Sequence, residues 1–509
     1  MRALVSVSDK TGLVDFVQAL QDLGWEIIAT GGTQKLLESK GIKTTGISEV
    51  TGFPEICDGR VKTLHPKVHG GILARRDIPE HMQTLKDNEI ETIDLVCVNL
   101  YPFRQTIAKE GVTMEDAIEN IDIGGPSMVR SAAKNWRDVT IVCDPADYGT
   151  VLSEIRENGN TTAPTRLKLS AKAYTHTAEY DMCIATYMRE KAGLGEKLFL
   201  EYDIKQGLRY GENPHQSAKF YSALQPAPYS LAFARQIQGK ELSYNNIQDA
   251  NAALNVVRDF DEPFCVALKH MNPCGAAVAP TIEQAWQAAY EADKVSIYGG
   301  IVAVNRTLTA EVAAGMKPIF LEIVIAPSYT PEALEILSTK KNLRVMEVDM
   351  SKSSDPVPQF ISVNGGMLAQ QLDTSIEDIT PEMCVTETKP SEAQMADLEF
   401  GWKIVKHIKS NAIAVVRDCH TIGVGAGQTN RVGSAEIALK EAQAAGFTEG
   451  LVLASDGFLP FGDTVELAAR YGVSAIVQPG GSIRDDDSIA KANELGITML
   501  LTGVRHFKH

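Results

Sequence analysis

The stretch LKHMNPCG at 268–275 places a lysine, a histidine and a cysteine close together. Zinc deaminases use a Pro-Cys-x-x-Cys and a His-x-Glu signature. Here no second cysteine follows Cys274 at that spacing and no glutamate follows His270, so residue identity argues against such a metal site. Two hypotheses remain for Lys269 and His270. They are either a pair that handles a proton and a developing charge, or a lone lysine and histidine where a strand ends.

Both side chains can serve one site only if the strand ends or bulges there, because neighbours on a regular strand point to opposite faces. Pro273 and Gly275 follow at once and are typical of such a break. The pattern therefore predicts a break of the strand in this stretch, and it gives Cys274 no role in the chemistry.

A second group of residues favours an anionic ligand, although the chain carries a net charge of −16. The motif GRVKTLHPKVHGG contains Arg60, Lys62, His65 and His69 and no acidic residue. We expect Arg60 and Lys62 to bind an anion, with a solvated loop as the alternative. The two histidines stand four residues apart, but the proline between them disfavours one helix through both, and with it a metal site.

Glycines and hydroxyls at two strand ends indicate where that anion binds. TGGT (30–33) joins a strand to a helix, where free N–H groups suit a phosphate; a plain tight turn is the alternative. SVSDKT (6–11) ends the neighbouring strand, so its hydroxyls and Lys10 can face the same crevice.

Further along, single polar residues offer acid–base chemistry. Tyr101 in NLYPF follows a strand, Asp122 precedes a Gly-Gly pair, and Lys134 ends the next helix. Asp122 and Lys134 could form an acid–base pair; a packing aromatic and surface charges are the alternatives. RYGENPHQ (209–216) has the composition of a binding loop or of a surface connection. GVGAGQTNR (423–431) is similar to a nucleotide loop but lacks the G-x-G-x-x-G spacing.

Composition limits the class of protein. The 509 residues are 44% hydrophobic and 22% charged, which is typical of a globular protein of two to four domains. The negative charge argues against nucleic-acid binding, and no apolar run is long enough for a membrane span. Eight cysteines without a CxxC pair argue against disulfides or structural zinc. The N-terminus enters a strand at once, without room for a signal peptide, so we expect a cytoplasmic protein.

The elements that position these residues alternate between strand and helix. Continuous apolar runs at 2–8, 25–30, 93–100 and 139–144 predict a parallel sheet covered on both faces. A long helix at about 166–192 closes this region, and 192–198 is the candidate seam. Beyond it, strands at 265–270, 300–305 and 322–327 and a second series from 412 to 503 indicate one α/β plan used twice. A polar loop at 349–358 lies between the two series.

Together and in this order, the motifs resemble one family over essentially the whole chain. The motifs are SVSDKTG, TGGT, GRVKTLHPKVHGG, NLYPF, IDIGGPSM, AAKN, RYGENPHQ, LKHMNPCG, GAGQTNR, SDGFLPF, PGGSIRD and TGVRHF. The family comprises the bifunctional purine-biosynthesis proteins. They join a 5-aminoimidazole-4-carboxamide ribonucleotide (AICAR) formyltransferase to an inosine monophosphate (IMP) cyclohydrolase.

The resemblance implies an α/β architecture of three parts. Residues 1–192 would form a methylglyoxal-synthase-like cyclohydrolase domain with a parallel sheet. Residues 193–365 and 366–509 would form two cytidine-deaminase-like formyltransferase subdomains without zinc. It also implies a homodimer whose formyltransferase site lies at the subunit interface, 10-formyltetrahydrofolate as co-substrate and no catalytic metal.

The resemblance also implies the site residues. For formyl transfer, His270 would manage the proton and Lys269 would stabilise the developing charge. The nucleotide and folate would be bound by Arg209, Tyr210, Gly299, Glu322, Asn411, Arg431, Phe458, Asp463 and Arg505. For ring closure, Lys62, Tyr101, Asp122 and Lys134 would carry the chemistry, with the proton roles of Asp122 and Lys134 left open. The nucleotide would be held there by Ser8, Lys10, Thr11, Thr30, Gly32, Thr33 and Arg60.

Two other classes of protein compete with this hypothesis. One is a zinc-dependent hydrolase that acts on a nucleobase, and bound stoichiometric zinc would favour it. The other is a non-catalytic nucleotide-binding module, in which TGGT binds phosphate and the lysines only neutralise charge.

Overall fold

The computed structural model describes residues 1–223, 229–351 and 357–509. Within these ranges the chain forms two compact units, Met1–Glu201 and Tyr202–His509. The loop expected at 349–358 lies partly outside the described residues, at 352–356. No helix in the described ranges is long and apolar enough to cross a membrane.

The first unit is built on one parallel sheet. Its strands are β1 (Arg2–Ser6), β2 (Glu26–Ala29), β3 (Thr45–Gly46), β4 (Leu95–Val98) and β5 (Thr140–Val142). They lie in the order β3-β2-β1-β4-β5, and every neighbouring pair is parallel. All four residues of β4 are buried, as expected of a strand covered on both faces. The predicted parallel sheet is confirmed.

Helices cover this sheet and bring polar loops to one edge. They are α1 (Leu13–Asp22), α2 (Gly31–Ser39), α3 (Ile47–Thr51), α4 (Pro66–Leu73), α5 (Pro79–Asp87), α6 (Phe103–Ile107), α7 (Met114–Glu119), α8 (Gly124–Lys134), α9 (Tyr148–Asn158) and α10 (Ala163–Lys191). The apolar face predicted for α1 is the one that it buries in the core. Because β1, β2 and β4 are parallel, the residues that follow them meet at the same edge.

The second unit contains a sheet of eleven strands and two separate hairpins. Its strands are β6 (Tyr202–Leu208), β7 (Ala218–Ala223), β8 (Arg235–Gln238), β9 (Phe264–Lys269), β10 (Asn272–Val278), β11 (Ile301–Val304), β12 (Ile323–Ala326), β13 (Arg344–Glu347), β14 (Pro358–Val363), β15 (Gly366–Gln371), β16 (Ile413–Arg417), β17 (His420–Gly425), β18 (Leu451–Ser455), β19 (Val473–Gln478) and β20 (Thr498–Leu501). The large sheet has the order β20-β19-β18-β16-β17-β10-β9-β11-β12-β13-β8, while β6–β7 and β14–β15 pair only with each other.

Helices lie on both faces of the large sheet. They are α11 (Tyr244–Val257), α12 (Ile282–Ala292), α13 (Ala310–Met316), α14 (Pro331–Ser338), α15 (Glu392–Val405), α16 (Arg431–Ala444), α17 (Asp463–Arg470) and α18 (Asp485–Glu494). Residues of α11 and α15 share one buried core. The helices α12 to α14 and α16 to α18 contribute to two further cores. The result is a three-layered α/β unit.

The large sheet uses the same plan twice. The order β10-β9-β11-β12-β13 in one half corresponds to β17-β16-β18-β19-β20 in the other. In each half the first two pairings are antiparallel and the next two are parallel. The halves join through an antiparallel pairing of β10 with β17.

The break predicted after Lys269 is confirmed. The strand β9 ends there in a two-residue turn, His270–Met271, with φ of 52° and 62°, and the chain then continues as β10 with a bulge between Pro273 and Gly275. The glycines of GVGAG lie in and beside β17 rather than in a nucleotide loop. A Cβ on Gly423 would stand 2.0 Å from a carbonyl oxygen of α16, so these glycines allow close helix packing.

Candidate active sites

A cavity of about 600 Å³ opens at the carboxyl ends of β1, β2 and β4. It is lined by predicted nucleotide-binding residues and by predicted catalytic residues of the first unit. These are Ser8, Lys10, Thr30, Gly32, Thr33, Arg60, Lys62, Tyr101 and Asp122. Residues from separate motifs therefore meet in one place, as the geometry of a parallel sheet requires.

Hydrogen bonds fix the strand ends that form the cavity wall. Thr33 Oγ1 accepts from Val7 N and donates to Val7 O, both at 3.1 Å. The side chain of Asn99 accepts from the N–H groups of Ser8 (2.6 Å) and Asp9 (3.0 Å). Asn99 was not singled out from the sequence, although it opens the NLYPF motif.

The cations of the cavity stand beside acids. Lys62 Nζ lies 3.1 Å from Glu55 Oε1, and Arg60 forms an exposed ion pair with Glu119. Exposed ion pairs of this kind are weak, so neither acid fully occupies its cation. An incoming phosphate can therefore compete for either cation.

Asp122 is the most enclosed acid of the cavity. Its Oδ1 accepts from Gly125 N at 2.8 Å, and its own N–H donates to Tyr180 Oη at 2.7 Å. Burial raises the pKa of Asp122, and the bonds from Gly125 and Tyr101 N–H and the charge of Lys62 oppose that rise. A carboxyl group held in this way is suited to accept and return a proton.

Four residues of the first unit take positions that the sequence left open. Thr11 lies beside the cavity, where its hydroxyl donates to Asp9 Oδ1 at 2.7 Å. Lys134 ends α8, about 15 Å along the helix from the Gly-Gly pair, and it does not line the cavity. His65 caps α4 by accepting from Lys67 N at 3.1 Å, while His69 contacts Ser131 Oγ at 3.0 Å.

In the second unit, most of the predicted residues lie along one edge of the large sheet. At this edge, called the site edge, β9, β17, β18 and β20 end and β11, β12 and β16 begin. Its predicted residues are Lys269, His270, Gly299, Glu322, Asn411, Arg431, Phe458, Asp463 and Arg505. Arg209 and Tyr210 follow β6 outside the large sheet, with the guanidinium 5.7 Å from the tyrosine ring.

The turn at His270 presents two adjacent side chains at the site edge. Lys269 Nζ donates to Tyr298 O at 3.0 Å, and His270 is exposed. Asp249 of α11 accepts from Met271 N at 2.8 Å and so holds the turn. Because the strand ends at Lys269, the two side chains are not forced onto opposite faces.

The other half of the sheet supplies a bound arginine. Arg431 Nη2 donates to Asn411 Oδ1 at 2.6 Å and Nη1 to Ser455 Oγ at 3.0 Å. Arg431 also pairs with the buried Asp456. Phe458 stays partly exposed next to this cluster. The guanidinium is thus fixed in place, and the buried carboxylate of Asp456 balances its charge.

Glu322, Asp463 and Arg505 have partners of their own. Glu322 Oε2 contacts Arg344 Nη1 at 2.6 Å. Asp463 begins α17 and accepts from Thr464 N at 2.7 Å. Arg505 lies 4.7 Å from the ring of Phe507.

The described residues contain no group of three or more His, Cys, Asp or Glu that could hold a metal ion. Cys274 Sγ donates to Ala267 O at 3.4 Å. Burial raises the pKa of this thiol to about 12, so the free thiol is not a ready nucleophile.

The parallel sheet of the first unit and the duplicated sheet of the second are accompanied by matches to two family models. Residues 12–127 match the MGS-like domain, and residues 132–441 match the AICARFT/IMPCHase bienzyme.

Two curated relatives match the chain over its full length, and one solved structure matches part of it. The bifunctional purine biosynthesis protein PurH of Streptococcus suis (strain 05ZYH33) is 57% identical over 514 residues, which cover 100% of this chain and 99% of the relative. PurH of Streptococcus thermophilus (strain ATCC BAA-491 / LMD-9) has the same identity and coverage. A crystal structure of ForH is 36% identical, with a TM-score of 0.33, and covers 36% of this chain and 97% of ForH.

The chain belongs to the AICARFT/IMPCHase bienzyme family. It is a bifunctional enzyme of purine biosynthesis, an AICAR formyltransferase and an IMP cyclohydrolase.

Proposed function

We propose that formyl transfer takes place at the site edge and ring closure in the cavity of the first unit. The observation that carries this division is that Lys269 and His270 are adjacent where β9 ends in a turn of the second unit. The carboxyl group of Asp122, by contrast, lines the cavity of the first unit.

In the first reaction, the 5-amino nitrogen of AICAR attacks the formyl carbon of 10-formyltetrahydrofolate. The amine loses a proton, the bond from the formyl carbon to N10 breaks, and N10 takes up a proton. His270 accepts the amine proton and returns it towards N10. Lys269 stabilises the negative charge that develops on the formyl oxygen. Arg431 and Asn411, which bind each other, are proposed contacts of the nucleotide.

In the second reaction, the carboxamide nitrogen attacks the new formyl group and one water leaves, which gives IMP. Asp122 takes the amide proton and passes it to the former formyl oxygen. The ammonium of Lys62 gives that oxygen its second proton, so that it departs as water. Lys62 regains a proton from the formamide nitrogen, which loses it as the carbon–nitrogen double bond forms. Lys134 lies away from the cavity, so we assign it no step. Because the attack is intramolecular, positioning by the cavity wall supplies much of the rate.

We also propose that the enzyme is a homodimer whose formyltransferase site needs both copies. Glu322 beside β12 and Phe458 after β18 are six strands apart, about 29 Å at the usual strand spacing. One nucleotide does not span that width, so a single copy offers only part of a site to each ligand.

The exposed hairpin β14–β15 supports the same proposal. Ile361 and Leu368 face each other across it and are 45% and 59% exposed. An isolated two-stranded hairpin with apolar side chains gains stability when a partner covers it.

Two further parts of the proposal concern domain limits and location. We propose three domains, 1–192, 193–365 and 366–509, of which the last two share the large sheet. All eight cysteines are free thiols, which suits a reducing cytoplasm. Cell fractionation would test the location, and the fold of separately expressed segments would test the limits.

Replacing His270 by alanine tests the division of labour. We expect formyl transfer from 10-formyltetrahydrofolate to AICAR to fall at least a hundredfold, as is usual for a lost acid–base group. Cyclisation of supplied formyl-AICAR should be unchanged. His420→Ala is the matched control, because His420 follows the corresponding turn of the other half of the sheet.

Loss of both activities in His270→Ala would refute the two-site assignment. Stoichiometric zinc in the active protein would instead favour a metal-dependent mechanism. A folded wild-type protein that makes no IMP from AICAR and 10-formyltetrahydrofolate would contradict the enzymatic function itself.

A further inference from the structure

The C-terminal segment 502–509 crosses the site edge after β20. Ser410 N donates to Lys508 O at 2.9 Å, and Lys508 N donates to Ser410 Oγ at 3.1 Å. His506 N donates to Asp456 O at 3.2 Å. These bonds hold the end of the chain against the segment that leads into β16, close to Asn411.

The side chain of Lys508 reaches the turn that carries His270. Its Nζ donates to His407 O at 2.7 Å and to Met271 O at 3.5 Å. Met271 is the second residue of that turn. A cation from the end of the chain therefore contacts the main chain directly after His270.

The duplicated plan of the sheet shows what is special about this contact. The turn Asp418–Cys419 corresponds to His270–Met271, with φ of 52° and 54°. Asp397 holds its N–H groups as Asp249 holds Met271 N. In the second turn, however, the carbonyl of Cys419 accepts from the main-chain N–H of Val278 at 3.0 Å.

The carbonyl of the second turn residue thus accepts a hydrogen bond in both halves, but from a different kind of donor in each. The main-chain N–H of Val278, which binds the carbonyl of Cys419, keeps its proton at every pH of interest. The ammonium of Lys508, which binds the carbonyl of Met271, can lose one. Burial and the nearby Lys409 lower the pKa of Lys508 to about 8.

We propose that Lys508 is a positioning residue for formyl transfer, whose ammonium group holds the turn that presents Lys269 and His270 by binding the carbonyl of Met271. This inference rests on the proposed assignment of those two residues to the reaction. In this role Lys508 acts through the turn and not through contact with a substrate.

The proposal makes formyl transfer sensitive to the charge of Lys508. A bond from a charged donor is about twice as strong as one from a neutral donor. As pH rises through about 8, the turn should become less well held and kcat should fall. The charged and titratable groups around Lys508 are Lys406 and His407 with Asp259, Lys409, Asp456, and Asp249 and His270 on the far side of the turn.

The test compares Lys508→Met and Lys508→Arg with the wild-type enzyme, full-length and in its native assembly. Formyl transfer is followed as kcat and KM for AICAR between about pH 6.5 and about pH 10. Lys508 passes from its charged to its neutral state within this range. In Lys508→Met we expect kcat to fall roughly tenfold with little change in KM, as for a lost charge-assisted bond, and its alkaline decline should disappear.

Lys508→Arg keeps a permanent charge. It should restore kcat to within about threefold of wild type, since a charged donor remains, and should move the alkaline decline to higher pH. Cyclisation of formyl-AICAR is measured on the same samples, and thermal unfolding checks that each variant folds.

Two results would overturn the inference. One is a wild-type kcat with an unchanged pH profile in Lys508→Met. The other is a lower kcat whose alkaline decline stays where it is in wild type, which would make Lys508 purely structural. Failure of the site assignment is recognised separately, by formyl transfer that persists in His270→Ala.

Discussion

Replacing Tyr180 by phenylalanine should slow ring closure, although Tyr180 is not one of the residues proposed to bind substrate. The hydroxyl of Tyr180 on α10 accepts from Asp122 N at 2.7 Å and donates to Asn120 O at 3.1 Å. Burial raises its pKa to about 12, so it stays a neutral donor. These two bonds tie the loop before α8 to a long helix and thereby aim the carboxyl group of Asp122 into the cavity.

The magnitude follows from those two bonds. A neutral hydrogen bond contributes about 0.5–1.5 kcal/mol, so their joint loss costs about 1–3 kcal/mol. If about 2 kcal/mol of this loss appears in the activation free energy of ring closure, kcat decreases about 30-fold. The phenylalanine ring keeps the edge contact with Phe103, whose ring centroid lies 6.4 Å away, so packing changes little.

The assay is the formation of IMP from supplied formyl-AICAR, with formyl transfer measured on the same protein. Formyl transfer should be unchanged, because Tyr180 belongs to the first unit. Tyr174→Phe is the matched control, since Tyr174 lies on the same helix with an exposed ring 5.4 Å from the Arg130 guanidinium. If Tyr180→Phe cyclises within about twofold of wild type, which is less than half a kcal/mol, the reasoning is wrong and Tyr180 serves stability alone.

Two further predictions use features of the second unit. Asp249→Asn and Asp397→Asn each weaken the bonds to one turn, and each should lower the free energy of unfolding by about 1–2 kcal/mol. Only Asp249→Asn should reduce formyl transfer, by about tenfold for the same loss of energy, and equal losses in both variants would contradict a special role for its turn. Ile361→Asp with Leu368→Asp should convert a dimer into monomers in sedimentation experiments and abolish formyl transfer. A wild-type monomer with full activity, or a variant that remains dimeric, would refute the role of the hairpin.

Local sequence patterns predicted the helices and strands in which one hydrophobic periodicity dominates. The apolar face of α1 and the strand 95–98 follow from helical spacing and from a continuous buried run. The break expected from Pro273 and Gly275 is also present, as the end of β9 and a bulge in β10. The pattern failed at the glycines of β17. Gly423 suggested a loop, but the backbone of α16 packs against it and requires a residue without a side chain.

The candidate sites divide in the same way. The motifs around Lys62, Tyr101 and Lys269 were visible because their residue types are unusual in such clusters. Asn99, Asp249 and Tyr180 were not, because an asparagine, an aspartate or a tyrosine on a helix has no meaning until its partner is known. Lys134 shows the converse, since a lysine within a motif lies at the far end of α8 from the cavity.

By itself, the sequence determined the α/β class, the parallel sheet of the first unit and the family to which the chain belongs. Only the tertiary structure decided which side chains hold the reacting ones in place. Asp122 and Tyr180 are 58 positions apart, and Met271 and Lys508 are 237 apart. Local spacing does not encode such pairs, because packing of whole helices and strands brings them together.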